Sequence, residues 1–480
     1  MSASPPPNVV LIVLDCVRSK SLNRWGGGST ARTPVLDALA DRSLVFTRAV
    51  APSNWTYPSH LTMFTGSPSG VLPDAGSPQF SGTIADWVRT HYGFTTALFT
   101  ENELLAAGLG LERGFSEVLP SAAMSKDVPG LSNGGGFLFG FRRAAYGDGA
   151  VALLRRFPPL AIPIAKLEDL KFQARKRSFC NGEVVRHFAH WLETRPRGAP
   201  YFGMINIIDA HEPYPSPRAG PASDLRHRGY SRVSRNHALM VPELRERVPW
   251  PELEQRYLDE IAQADAKVGE FLKAVQRTGE ADRTIVVVTA DHGQCFGEEG
   301  FVYHGNGTAD AVARVPLLVF APGEKASRID RWVSLSEIPG WIAAWAEGES
   351  PRAVVEHGSE TFGPEKGRAV FCDGRPACDS TGLLRGRFQS EPWNRRRLVA
   401  YRDSSKYVAD EESHSVLEWN LAEGDPDGRP PKQLEGNEAR ETWESVFEPY
   451  LTQRKSSPAS LELSKDDPHV VAALRSWGYE

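Results

Sequence analysis

The chain has 480 residues, 41% of them hydrophobic and 24% charged, and a formal net charge of −5, a composition that excludes a disordered or collagen-like protein. Such a mild negative charge gives no global basic field for tracking a nucleic-acid backbone, so no nucleic-acid partner is expected. The length exceeds that of one typical domain and suggests a large core with a smaller domain appended.

Met1–Pro7 has no basic segment leading into an apolar one, and no later stretch approaches the ~20 apolar residues of a membrane span. The expectation is a cytoplasmic protein without a membrane span. Five cysteines, at 16, 180, 295, 372 and 378, are too few and too scattered for the framework of a small secreted domain. They read as reduced thiols, with pairing or metal binding by Cys372 and Cys378 as the alternative.

In chain order, Asn8–Leu14 (NVVLIVL) is an apolar, β-branched run ending at Asp15, the pattern of a buried parallel strand with a carboxylate at its carboxyl end. Thr33–Arg42 has helical spacing, Leu44–Val50 reads as a strand, and a helix opens near Pro58, with Thr56 in the loop before it. Helices are expected over Thr83–Tyr92, Phe179–Thr194 and Leu253–Val275. Strands are expected over Thr95–Thr100, Tyr201–Ile208, Thr284–Thr289 and Val315–Ala321. Three of the strands run into an Asp: 15, 209 and 291. From about residue 350 the strands shorten, at Arg397–Tyr401, Lys406–Val408 and Val416–Trp419, which suggests a small antiparallel sheet. The fold class is therefore α/β: a large, mostly parallel sheet sandwiched by helices over residues 1–350, and a smaller C-terminal antiparallel β subdomain over 351–480. Residues 121–177 and 218–251 fit poorly and read as excursions, either solvated or forming lids over a site.

Two motifs carry chemistry. Thr289–Gly300 (TADHGQCFGEEG) places Asp291 and His292 at a strand end, one oxygen and one nitrogen ligand for a divalent cation, with Gly293 relieving the backbone. An Asp capping the next turn with His bonded to it is the structural alternative. Trp55–Gly66 (WTYPSHLTMFTG) places a hydroxyl at a helix start.

A strand-end Asp in Val13–Asp15, a nucleophile at a helix start in Trp55–Gly66, and a late Asp291–Gly293 occur in the order that resembles the sulfatase and alkaline phosphatase superfamily. Arg314–Pro322 (RVPLLVFAP) and Leu474–Tyr479 (LRSWGY) are similar to segments of sulfatase-like chains as well. The resemblance implies Asp15, Asp291, His292 and Thr56 as metal ligands, with Thr56 also the nucleophile. Metal coordination and the helix N-terminus would lower the hydroxyl pKa.

The resemblance has departures. Sulfatases carry Cys or Ser, oxidised to formylglycine, at the nucleophile position; Thr56 cannot give an aldehyde, because its extra methyl leaves a ketone. A threonine nucleophile instead resembles the lipoteichoic acid synthases and phosphoethanolamine transferases, which pass a phosphoryl group through phosphothreonine. His304 matches the latter, and His211 in Asp209–Tyr214 (DAHEPY) matches a substrate-contacting His. These two are the further catalytic candidates, meeting the substrate directly, binding a second metal, or serving structure alone. Asp209, His60, Trp55 and Tyr57 are substrate-binding candidates, the last two with core packing as the alternative. Cys16 stands where many sulfatases have a second metal-binding Asp, and reads as a small buried hydrophobe. Gln294 stands where a Glu often follows. Fewer carboxylates imply Mn²⁺, Mg²⁺ or Zn²⁺ rather than Ca²⁺. The expected function is a metal-dependent phosphodiesterase or phosphotransferase acting on a soluble phosphate or phosphonate ester through phospho-Thr56. A sulfatase-type hydrolase lacking formylglycine and a non-catalytic binding protein of the same fold are the alternatives. The oligomeric state is left open.

Overall fold

Strand β1 (Asn8–Leu14) is buried along its whole length, because strands flank it on both sides: it pairs in parallel with β5 (Tyr201–Ile207) and β6 (Thr284–Thr289). The computed structural model describes residues 5–26, 30–67, 82–106, 110–120, 180, 182–212, 214, 250–305, 307–357, 369–374 and 396–456. The excursion at 121–177, nearly all of that at 218–251, Cys378 and Leu474–Tyr479 lie outside the described residues.

The main sheet has eight strands in the order β10-β2-β9-β6-β1-β5-β3-β4. The further members are β2 (Leu44–Val50), β3 (Thr95–Thr100), β4 (Glu117–Pro120), β9 (Leu317–Phe320) and β10 (Ser327–Ser334). Strand β9, foreseen from Val315–Ala321, runs against β2 and β6, so the sheet is mixed at that point. Strands β4 and β10 lie at the two edges and were not foreseen. The first has four residues, and the second, with its charged Arg328, Asp330 and Arg331, lacks the apolar run that marks the central strands.

Two groups of helices cover the sheet. Helix α1 (Pro34–Ala40) packs with the long helix Trp250–Arg277, which also packs on Glu183–Thr194. Helices α2 (Thr56–Thr65) and α3 (Ile84–Tyr92) pack with Ile338–Ala346, whose nine residues are all buried. Among the described residues no helix is long and apolar enough to cross a membrane.

A second sheet of five antiparallel strands, β11 to β15, runs from Val370–Gly374 to Lys432–Gln433. It meets the main sheet through an apolar cluster, in which Val50 of β2 and Trp332 of β10 pack with Cys372, Val399 and Tyr401, and through polar contacts beside it. Asp373 on β11 accepts hydrogen bonds at its backbone oxygen from Asn54 N, at 3.3 Å, and from Ser53 Oγ, at 3.0 Å. Asp310 accepts from Tyr401 Oη at 2.7 Å and lies 3.2 Å from Lys406 Nζ. The smaller sheet thus braces the loop that leads into α2.

Candidate active site

Strands β1, β5 and β6 are neighbours and parallel, so the residues just past their carboxyl ends meet at one edge of the sheet, where open α/β sheets place their sites. Asp15 directly follows β1, and Asp209 and Asp291 each stand two residues past their strands. All three are buried.

Thr56 is the first residue of α2 rather than part of the preceding loop, and Trp55 is the N-cap. The hydroxyl therefore sits at the positive end of a ten-residue helix. Its Oγ1 lies 3.2 Å from His292 Nε2. The His292 ring is fixed by its Nδ1, which donates to Gly293 O at 2.9 Å, so Nε2 carries the lone pair that faces Thr56. Gly293 is required by close approach: a Cβ there would stand 2.0 Å from Ala311 O.

Asp291 Oδ1 accepts the backbone N–H groups of Cys16 and His292, at 3.2 and 2.9 Å. Its Oδ2 is buried without a hydrogen-bond partner, 3.3 Å from His292 Nε2. Asp15 Oδ2 accepts from Asn102 Nδ2 at 3.1 Å and from Asn206 Nδ2 at 3.5 Å. Burial, then the charge of Asp15, push the Asp291 carboxyl well above its ordinary range. Burial works against the Asp15 carboxylate too, but the imidazoles of His211, His292 and His60 and the Asn102 hydrogen bond hold it low.

This donor set fits a divalent cation. Two buried carboxylates, one with an oxygen left without a partner, face a lone-pair nitrogen and a hydroxyl, and neither carboxylate has a Lys or Arg partner among the described residues. An uncompensated pair of that kind is costly in a dry interior. Asp15, Asp291, His292 and Thr56 are the residues that would hold the ion.

His304 and His211 join from two loops. The His304 ring lies 4.6 Å from that of His292 and 5.0 Å from that of His211, centroid to centroid. His304 Nδ1 is 2.8 Å from Gln294 Oε1, while Gln294 Nε2 donates to Glu212 Oε2 at 2.9 Å and to Tyr214 Oη at 2.6 Å. Those two donations turn the Gln294 amide oxygen toward His304, so Nδ1 is the protonated ring nitrogen.

The other candidate residues stand in different surroundings. Asp209 is committed to a buried ion triad: Lys267 Nζ donates to Asp209 Oδ2 at 2.6 Å and to Glu101 Oε1 at 2.8 Å. Tyr57 belongs to the hydrophobic core and Trp55 packs partly buried against it. His60 lies one helical turn past Thr56 and is fully buried, with Nδ1 2.9 Å from Thr56 O. Burial holds its pKa down at about 4, so it is neutral and braces the first turn of α2. Cys16 is more than a small hydrophobe: its Sγ donates to Asp15 Oδ1 at 3.3 Å, and its φ of 67° is a left-handed conformation that a non-glycine residue adopts at a cost of order 1–3 kcal/mol. Asn102, Glu212 and Lys267 were missed as functional or supporting residues, and Gln294 was read only as a missing carboxylate. Glu212 was within reach of the sequence, since it adjoins His211 in the Asp209–Tyr214 motif.

A sequence profile of the family described as Sulfatase matches residues 7–348. The chain belongs to the sulfatase family. It is 26% identical to human arylsulfatase A over 388 residues, 74% of this chain and 67% of that protein. It is 25% identical to mouse iduronate 2-sulfatase over 355 residues, 68% of this chain and 61% of that one. The phosphonate monoester hydrolase of Agrobacterium radiobacter shares the fold, with a TM-score of 0.59 at 19% identity, covering 94% of this chain and 93% of that one. The corresponding enzyme of Silicibacter pomeroyi gives a TM-score of 0.58 at 17% identity, covering 95% and 97%. As a sulfatase-family member the protein is a hydrolase of a divalent-metal-dependent kind.

Proposed function

We propose that this protein hydrolyses phosphate or phosphonate esters through a covalent phospho-Thr56 intermediate. The observation that carries the reading is Thr56 itself: a hydroxyl that cannot become an aldehyde, at the N-terminus of α2, with Oγ1 3.2 Å from His292 Nε2. A divalent cation held by Asp15, Asp291, His292 and Thr56 would supply acidity to the hydroxyl and charge stabilisation to the ester oxygens.

Thr56 Oγ1 attacks phosphorus and the bond to the ester oxygen breaks, with the Thr56 proton lost and one proton gained by the departing alcohol. The imidazole side of the pocket, His211 and His304, stabilises charge on that departing oxygen. Water then attacks phosphorus of phospho-Thr56, releasing phosphate or phosphonate and restoring the threonine hydroxyl. An alcohol in place of water makes the same site a phosphotransferase. His60 and the N-terminal turn of α2 hold the nucleophile still throughout, so that orientation is settled before the ester arrives.

The test is turnover of nitrophenyl phosphodiester, phosphomonoester, phosphonate ester and sulfate by the metal-loaded protein beside Thr56→Ala. Phosphorus esters should turn over, Thr56→Ala should lose roughly three orders of magnitude or more, and a rapidly quenched digest should carry a phosphoryl group on the Thr56 peptide. Turnover of sulfate alone overturns the reading. Sulfate-ester hydrolysis without formylglycine is the second reading, favoured by the similarity to arylsulfatase A; no turnover of any ester points to the non-catalytic binder.

A further inference from the structure

The segment from Asp291 to Gly305 carries His292, Gln294 and His304. In its middle, strand β7 (Cys295–Phe296) pairs antiparallel with β8 (Val302–Tyr303), and the turn between them passes through Glu298 and Glu299. Among the described residues five non-glycines have left-handed backbone, and two of them lie here: Glu299 at a φ of 51° and Tyr303, beside His304, at 57°. Such conformations persist only where the surroundings over-determine them.

The smaller subdomain supplies those surroundings at three points. At the start of the segment, Gly293 N donates to Val312 O at 2.8 Å and Gln294 N to Ala311 O at 2.9 Å, both on the short helix Asp310–Ala313. That helix is held in turn by Asp427, in the turn Pro426–Gly428 of the smaller subdomain. Asp427 Oδ1 accepts from Asp310 N at 2.6 Å, and Oδ2 accepts from Ala311 N at 2.9 Å and from Lys20 Nζ at 3.0 Å. At the tip, Lys406 on β13 (Ser405–Asp410) lies 3.1 Å from Glu299 Oε1 and 3.2 Å from Asp310 Oδ1. Glu298 beside it is held from the other side, by Arg18 at 2.8 Å and Lys20 at 3.3 Å, both in the stretch that follows Asp15. At the far end, Gly305 N donates to Asn54 O at 2.7 Å, and Asn54 N donates to Asp373 O on β11.

Attachment of the subdomain does not need these contacts, because the apolar cluster of Val50, Ala313, Cys372, Val399, Tyr401, Val408 and Trp419 already joins it to the main sheet. The Lys406 side chain is fully buried and that of Asp427 is 3% exposed. Buried ion pairs add little net stability over apolar packing of the same shape. What the network fixes is where the segment lies.

We propose that Asp427 and Lys406 are positioning residues of the active site: from the smaller subdomain they hold the Asp291–Gly305 segment, and with it His292 and His304, in the geometry that the reaction uses. The inference rests on the reading above only where it gives His304 a part in stabilising the departing oxygen.

The experiment is hydrogen exchange, followed by mass spectrometry, on the full chain and its Asp427→Asn variant, beside steady-state kinetics. Asparagine turns an N–H₂ toward one of the two backbone N–H groups that the carboxylate accepts, so residues 293–305 should exchange about tenfold faster or more, while Asn8–Leu14 and Thr284–Thr289 keep their protection. On whichever ester the wild type hydrolyses, kcat and kcat/KM should fall together by about tenfold with KM unchanged, the mark of an interaction misplaced in the transition state. Glu299→Gln keeps the side-chain shape and leaves Lys406 its contact with Asp310. It should loosen the Cys295–Tyr303 hairpin alone, and it keeps the test open if Asp427→Asn does not fold. Exchange that rises equally across the main sheet, a segment that stays protected in both variants, or a loosened segment with kcat unmoved overturns the proposal. A segment that loosens in a protein whose wild type turns over no ester supports the positioning and counts against the phospho-Thr56 reading instead.

Discussion

Two clusters of buried carboxylates lie at the carboxyl edge of the same sheet, and they differ in one respect. At the ends of β3 and β5, Glu101 and Asp209 share the ammonium of Lys267, and Glu101 Oε2 also accepts the Ile208 N–H at 3.1 Å. At the ends of β1 and β6, Asp15 and Asp291 have amides, N–H groups and imidazoles around them but no basic partner among the described residues, and Asp291 Oδ2 has no hydrogen bond. Both clusters are buried. The first is closed within the chain and serves the framework; the second is open and awaits something from outside it. Buried charge thus marks a site only where its compensation is missing.

The largest effect should come from opening the closed cluster. Lys267→Met leaves two carboxylates buried together and should cost roughly 3–5 kcal/mol of stability, read by urea unfolding. Adding Glu101→Gln and Asp209→Asn to it should restore most of that loss; no recovery would mean that Lys267 acts by packing.

His60 gives the next effect. Its pKa is about 4 in the folded protein, against 6.5 when exposed. Between those values the unfolded chain binds the proton and the folded one does not, so stability is complete above pH 6.5 and is lost as the pH falls toward 4. The whole shift amounts to about 3 kcal/mol. Thermal melts of the metal-free protein across that window should show a slope that His60→Asn flattens.

The smallest effect separates the clusters most cleanly. A divalent cation at 100 times its Kd should stabilise the wild type by about 2.7 kcal/mol. Asp291→Asn should reduce that increment while raising the stability of the metal-free protein, since it removes an uncompensated charge. Lys267→Met should leave the increment unchanged if its cluster has no part in binding. Differential scanning calorimetry with and without cation distinguishes the two.

Much of this was legible in the chain itself. Asn8–Leu14 and Thr284–Thr289 are apolar runs ending near Asp15 and Asp291, and a strand that is buried on both faces leaves that signature whatever lies around it. Thr56 and His292 were legible for a related reason, since a helix start and a strand end are local features. Tyr57, read as either pocket or core, proved to be core, because α2 is buried along its whole length between the sheet and Ile338–Ala346. Asp209 looked like Asp15 and Asp291 in sequence, and only Lys267, 58 residues away on the long helix, sets it apart.

The sequence by itself determined the central strands, the order of the motifs and the place of Thr56 beside a helix start, because each is written in residues close together in the chain. Tertiary structure alone decided the reversed direction of β9, the contact of Cys16 with His304, and the Gln294 bridge between Glu212 and His304. Those contacts join residues far apart in the chain, such as Cys16 and His304 at 288 positions. A hydrogen bond or a ligand cage depends on ångström-scale distances between loops, and those are set by how the strands order themselves in the sheet and not by any local pattern of side chains.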